Sequence, residues 1–141
     1  NNGSGNMNMV NKSSTDYVMY CWAEIPGFSK FGSYVGNGNS NGQYVYLGFR
    51  PAWIIIKRNA SESWVIADIK RNSNDRTSPA DTYMLADLSN ADSTGIIYDF
   101  VQNGVKFQSN SQNESGAVYY YAAFADSPGI TPFGGATANA Q

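Results

Sequence analysis

The side chains best placed to do chemistry in this chain are tyrosines and carboxylates, because it contains no histidine and a single cysteine. Without imidazole, the Ser-His-Asp and Cys-His nucleophile systems and the histidine-based metal triads are excluded. A sugar-cleaving acid pair stays open, since Asp68, Asp75, Asp81, Asp87, Asp92 and Asp99 could meet in space. No spacing singles out such a pair, so no catalytic residue is assigned and a non-enzymatic chain is expected. Asn72-Ser73-Asn74-Asp75 alternates oxygen side chains as a Ca²⁺ loop does, but it lacks the glycine and distal glutamate of an EF-hand. It reads as a solvated loop with Asx turns, and no metal or cofactor is expected. Cys21 has no intrachain partner, and its place in an apolar run predicts a buried structural thiol.

Tyrosine offers a different chemistry. Tyr34, Tyr44, Tyr46 and Tyr83 fall in or beside expected loops, where a phenol ring can stack on a sugar face while its hydroxyl stays wet. The same four residues suit a subunit interface, where tyrosine is enriched. Trp22, Trp53 and Trp64 sit in apolar runs and read as core. Lys57-Arg58 and Lys70-Arg71 fall at the ends of adjacent expected strands, as a small basic patch or as ordinary strand-end solvation. Asn-x-Ser triplets occur at Asn11, Asn59 and Asn113, which are glycan acceptors only in a eukaryotic secretory setting.

The elements that must carry these residues are strands. Charged residues make up only 14% of the chain, against roughly 25% in ordinary soluble proteins, and Gly, Asn and Ser are abundant. Such a surface meets sugars or neighbouring subunits more readily than nucleic acid, which the net charge of −2 and the lack of a basic run also disfavour. No stretch approaches the roughly 20 apolar residues of a membrane span. Opening on Asn1, the chain reads as processed, excised or incomplete.

Residues 1–16, rich in Asn, Gly and Ser, read as a flexible arm or linker, 17–134 as the folded domain and 135–141 as a tail. Strands are expected over Tyr17–Glu24, Tyr44–Phe49, Ala52–Arg58, Ser63–Ile69, Thr82–Leu88, Ile96–Val101, Val105–Ser109 and Ala117–Asp126. The run Trp53-Ile54-Ile55-Ile56 suggests a central strand covered on both faces. Asn103-Gly104 suggests a hairpin in which both residues take positive φ. About eight short strands and no helical stripe predict an all-β chain, a jelly-roll-like β-sandwich, with a small barrel as the alternative.

One pattern cuts across these elements. Tyr17-Val18-Met19-Tyr20-Cys21-Trp22-Ala23-Glu24-Ile25-Pro26-Gly27-Phe28 recurs as Tyr119-Tyr120-Tyr121-Ala122-Ala123-Phe124-Ala125-Asp126-Ser127-Pro128-Gly129-Ile130, at a constant offset of 102 that holds through Gly32 and Gly134. An ungapped self-match suggests a tandem unit with the closing strand of a preceding unit attached. Tyr17, Val18, Met19, Tyr20, Cys21 and Trp22 are therefore the candidate assembly strand.

The block Tyr20-Cys21-Trp22-Ala23-Glu24-Ile25-Pro26-Gly27-Phe28-Ser29-Lys30-Phe31-Gly32-Ser33-Tyr34-Val35-Gly36-Asn37-Gly38 resembles a motif of phage tail-fibre and virion-appendage proteins, frequent in marine and cyanobacterial phages. Gly48–Arg58, Asp68–Arg71, Asp99–Phe107 and Ala122–Asp126 are similar to later blocks of that family, in the same order; Val105 departs from it, since an aromatic often follows Asn-Gly there. The resemblance implies a concanavalin-like β-sandwich without known catalytic residues, displayed on a virion surface or extracellular filament. The implied partners are other copies, other virion proteins and host surface glycans. Two functions follow as expectations: a tail-fibre module for host attachment, or a filament subunit joined by strand addition of its N-terminal segment.

Overall fold

The computed structural model describes residues 13–71, 80–108 and 110–126. The expected arm up to residue 12, the loop around Asn72–Asp75, the tail and the 127–134 part of the sequence echo lie outside them. Among the described residues there are eight strands: β1 (Ser29–Val35), β2 (Tyr44–Tyr46), β3 (Pro51–Arg58), β4 (Val65–Asp68), β5 (Ala80–Leu85), β6 (Ser93–Val101), β7 (Gly104–Phe107) and β8 (Val118–Ala125). Every neighbouring pair is antiparallel, in the single order β1-β8-β3-β4-β5-β6-β7-β2. The ladder bends over on itself, so that Tyr34 of β1 stacks on Phe107 of β7 with ring centroids 4.7 Å apart. The result is an all-β fold of two facing layers, a β-sandwich. β1–β8 and β2–β7 join early strands to late ones, as jelly rolls do, whereas β3 to β7 run as a meander of sequence neighbours.

Period-two alternation explains the core. Tyr34, Tyr119, Tyr121, Ala123, Ile54, Ile56, Val65, Ala67, Tyr98, Phe100, Val105, Phe107 and Val45 are buried between the layers. Their in-register neighbours face outward, and on β3 this corrects an expectation. Trp53 and Ile55 are half-buried rather than covered, because among the described residues no second layer packs over the outer face as it packs over Ile54 and Ile56. Trp22 and Trp64 are likewise exposed, not core, and Cys21 is exposed rather than buried. For Trp22 and Cys21 the cause is that the apolar segment Tyr17–Glu24 forms no strand and stays outside the ladder, whereas Trp64 stands just before β4 on the side opposite the buried Val65.

The first strand is instead Ser29–Val35, for which the sequence analysis expects no strand. Its inward positions are Lys30, Gly32 and Tyr34, a weak apolar signal. Gly32 works because the Tyr121 ring fills its place: a Cβ there would meet the Tyr121 hydroxyl oxygen at 2.8 Å. The β6–β7 hairpin forms where expected, with a different turn. Val101 pairs with Gly104, so the loop is Gln102-Asn103, and neither residue has positive φ. Gly104 is needed for space, since a Cβ would lie 2.2 Å from the Val45 carbonyl oxygen.

Asn113, fully buried, fastens the Asn- and Gly-rich loop that precedes β2. Its side-chain oxygen accepts the Asn37 N–H at 3.0 Å, and its amide donates to Asn37 Oδ1 at 2.7 Å and to the Asn39 carbonyl at 2.9 Å. Asn37 and Asn39 then accept the backbone N–H groups of Asn39 and Asn41. Asn113 is thus unavailable as a glycan acceptor.

Three substitutions and one pH dependence test this account of stability. Gly104→Ala should cost about 2 kcal/mol through forced separation of β7 from β2, and Asn113→Ala roughly 2–3 kcal/mol through several buried groups left unpaired, both read by urea unfolding. Tyr98→Phe should raise stability by about 1 kcal/mol, because the buried Tyr98 hydroxyl has no hydrogen-bond partner. Burial, followed by the neighbouring phenols, raises the pKa of Tyr34 and of Tyr98. A phenol whose pKa is raised on folding contributes fully below its unfolded value, roughly 10, and loses that contribution as pH climbs toward the folded value. The urea midpoint should therefore begin to fall above about pH 10, and less steeply in Tyr98→Phe.

Candidate functional site

The four candidate tyrosines separate. Tyr34 is only 7% exposed and corrects the expectation of a surface contact: its ring lies between Phe107 and Tyr119, and its hydroxyl donates to the Gln112 carbonyl at 2.6 Å. Tyr83, on β5, is half-buried and packs against the core, because its register opposite Ala67 turns it inward. Tyr44 and Tyr46 remain at the surface, 43% and 61% exposed, two residues apart and so on one side of β2. Val45 between them is buried, which fixes their outward direction.

Tyr46 stands at the rim of a cleft of about 710 Å³ where the two terminal strands of the ladder, β1 and β2, approach each other. Lys30 of β1 places its Nζ 5.8 Å from the centre of the Tyr46 ring, a cation–π arrangement across the gap. Glu24, Arg50, Gln102, Asn103 and Asp126 contribute polar groups to the lining, and Leu47, Phe49 and Pro51 contribute apolar ones. Arg50 is oriented by donating Nε–H to the Phe100 carbonyl at 3.1 Å. Glu24 accepts the Phe31 N–H at 3.5 Å. Burial first, and then the Glu24 charge, raises the pKa of Tyr121. A shallower depression continues past Ala52, Ile69 and Asp126 to Trp53, Asp68 and Arg71.

The cleft offers donors, acceptors and one exposed ring together, with charges of both signs. That set suits a neutral polyhydroxyl ligand better than a strongly charged one. The local sequence explains how it is held. Leu47 and Gly48 donate backbone N–H groups to the Asn103 carbonyl, which ties the chain after β2 to the β6–β7 turn. Gly48 takes a positive φ of 83° there. Of the residues lining this cleft, the sequence singles out Tyr46 and does not single out Lys30, Arg50, Gln102, Asn103 and Asp126. They are far apart in the chain and carry no motif, so only the meeting of β1 and β2 identifies them.

The carboxylates and basic residues mostly serve the scaffold. Asp68 accepts the backbone N–H groups of Lys70 and Arg71 and pairs with the Arg71 side chain, which also grips Asp92 at 2.8 and 3.0 Å. Asp87 accepts the Trp64 N–H, and Asp99 accepts from Gln108. Asp75 lies outside the described residues, as does the Asp81 side chain. Lys57 closes the turn into β4 through the Ala60 and Glu62 carbonyls, and Arg58 pairs with Glu62 and Glu114. Lys57, Arg58 and Arg71 are thus engaged locally through their side chains, and Lys70 through its backbone N–H. Among the described residues no group of three or more Cys, Asp or Glu side chains is placed to hold a metal ion, and no helix is long and apolar enough to cross a membrane.

The assembly-strand residues are Val18, Met19, Tyr20 and Trp22 at 65–82% exposure, with Tyr17 at 45% and Cys21 also exposed. Trp22 meets the edge of Phe124 at 6.5 Å, within an outer-face cluster that includes Phe28, Phe31 and Trp53 around the same ring. No curated protein and no solved structure matches the chain at a significant level. A family model described as a domain of unknown function, DUF7483, matches residues 2–128, and the chain belongs to that family.

Proposed function

We propose that this chain is a non-enzymatic structural and recognition module of a phage tail fibre or related virion appendage, which attaches to host surface glycans through the cleft at Tyr46. The observation that carries attachment is the exposed Tyr46 ring beside Lys30, at the rim of a cleft lined by Arg50, Asn103, Glu24 and Asp126. An aromatic platform flanked by amide and charged hydrogen-bonding groups is the chemistry that holds a sugar ring. Placement on a virion surface or extracellular filament is supported by the sequence blocks that resemble appendage proteins. Affinity at one open cleft is modest, so attachment relies on many copies acting together, with other virion proteins as partners. The exposure of Tyr17–Trp22 favours a second reading, an extracellular filament subunit joined by strand addition.

The test is a multivalent display of the domain on a glycan array and on host cells. Binding is expected, and Tyr46→Ala should weaken it about fivefold per site by removing ring stacking worth roughly 1 kcal/mol. Tyr120→Ala, an exposed ring on the outer face, should leave it unchanged. No binding at high valency, or equal loss in both variants, overturns the reading.

A further inference from the structure

The cleft at Tyr46 does not end at its own rim. Ala52, Ile69, Ala125 and Asp126 line it and also line the shallower depression that holds Trp53, Asp68, Lys70 and Arg71. Two hollows, of about 710 and 640 Å³, therefore share one boundary, and two of its four residues are alanines. A boundary built from such small side chains stands low. The two hollows form one trough, which bends around the start of β3 and the end of β8.

A β-bulge makes that bend. Pro51 pairs with Ala125 and Trp53 with Phe124, so Ala52 is an extra residue on β3, opposite no residue of β8. In a regular strand Pro51 and Trp53, two residues apart, would share a face. The bulge separates them: Pro51 is buried and lines the Tyr46 cleft, while half-buried Trp53 lines the second depression. Ile69 fixes the bulge by donating its N–H to the Ala52 carbonyl at 2.9 Å. Phe124 braces the Trp53 ring, with centroids 5.5 Å apart.

We propose that the trough is a single extended binding site for a linear, uncharged glycan of several sugar units, with Tyr46 at one end and Trp53 at the other. The inference rests on the reading of the Tyr46 cleft as a sugar site. A chain of sugars presents a ring face to stack and edge hydroxyls to hydrogen-bond at successive units. The trough answers with an aromatic ring at each end and a low floor between them. Asn103 and Gln102 supply amides on one side of the floor, and Asp126 and Lys70 supply charged hydrogen-bonding groups on the other. A single sugar at Tyr46 would leave the Trp53 half empty. Charge favours an uncharged chain, because Lys70 and Arg71 are matched by Asp68 and Asp126, and Arg71 is already held by Asp68 and Asp92.

The test is calorimetric titration of the full chain with purified host-surface polysaccharide, cut by mild acid into a size ladder. Affinity should rise about fivefold or more from single-sugar to long pieces, as the second ring is engaged. Trp53→Ala should remove that gain and leave single-sugar binding as it was. Lys70→Ala should cut long-piece affinity about threefold. Lys70 is exposed, so its variant decides the matter if loss of the Trp53 ring disturbs the fold. Tyr46→Ala should weaken short and long pieces alike. Affinity independent of length, or a full gain retained in both the Trp53 and Lys70 variants, overturns the extended site and leaves the Tyr46 reading standing. A gain abolished by high salt overturns the uncharged ligand. Binding of no piece of any size overturns both.

Discussion

A single ladder of eight strands has two ends, and everything else in this domain depends on bringing them over one core. Tyr34 does this. Its ring lies 5.1 Å from Tyr119 on the neighbouring strand and 4.7 Å from Phe107 on the opposite layer, both nearly parallel to it. Its hydroxyl, deep enough that a charged form is strongly disfavoured, donates to the Gln112 carbonyl. Gln112 itself holds a positive φ of 60°, a conformation costly for its residue type unless the surroundings impose it. The stack and this hydrogen bond position the next residue, Asn113. Asn113 in turn fixes the loop that delivers β2, and with it Tyr46, to the cleft.

The two faces of the β1-β8-β3-β4 half differ in what they ask of solvent. Inward, the packing is dense and almost wholly apolar. Outward, Phe31, Phe124, Trp53 and Ile55 are half-buried, and Trp22 covers only part of the cluster. Charges gather at the strand ends as compact ion pairs: Arg71 with Asp68 and Asp92, Arg58 with Glu62 and Glu114. Exposed pairs of this kind add little stability, typically under about 1 kcal/mol each. Their effect is to order turns.

Much of the fold was legible because it rests on local alternation. The Trp53–Ile56 run, the Tyr119–Phe124 run and the paired runs around Asn103-Gly104 announce β3, β8, β6 and β7 by β-branched and aromatic content, and β2, β4 and β5 also overlap expected strands. β1 was hidden because its inward positions include Lys30 and Gly32, which become sensible only once Tyr121 and Tyr46 are beside them. The converse error came from the same rule. Tyr17–Glu24 has a strand's composition, but a strand needs an edge to pair with, and composition does not report whether one is vacant. Of the candidate tyrosines, Tyr44 and Tyr46 were correctly expected at the surface. Tyr34 and Tyr83 were not, since a tyrosine in a polar neighbourhood reads the same whether its register turns it in or out.

By itself, the sequence determined that this is an all-β chain without imidazole chemistry, that its surface carries little charge, and that its closing strand occurs twice. Those properties belong to residue type and order, which are fixed before folding. The tertiary structure decided which copy of the strand is built into the core, which tyrosines face water, and which distant polar groups share a cleft. Such outcomes depend on register and on the meeting of β1 with β2. A shift of one residue reverses every side chain on a strand, and no local pattern encodes which edges of the ladder will meet.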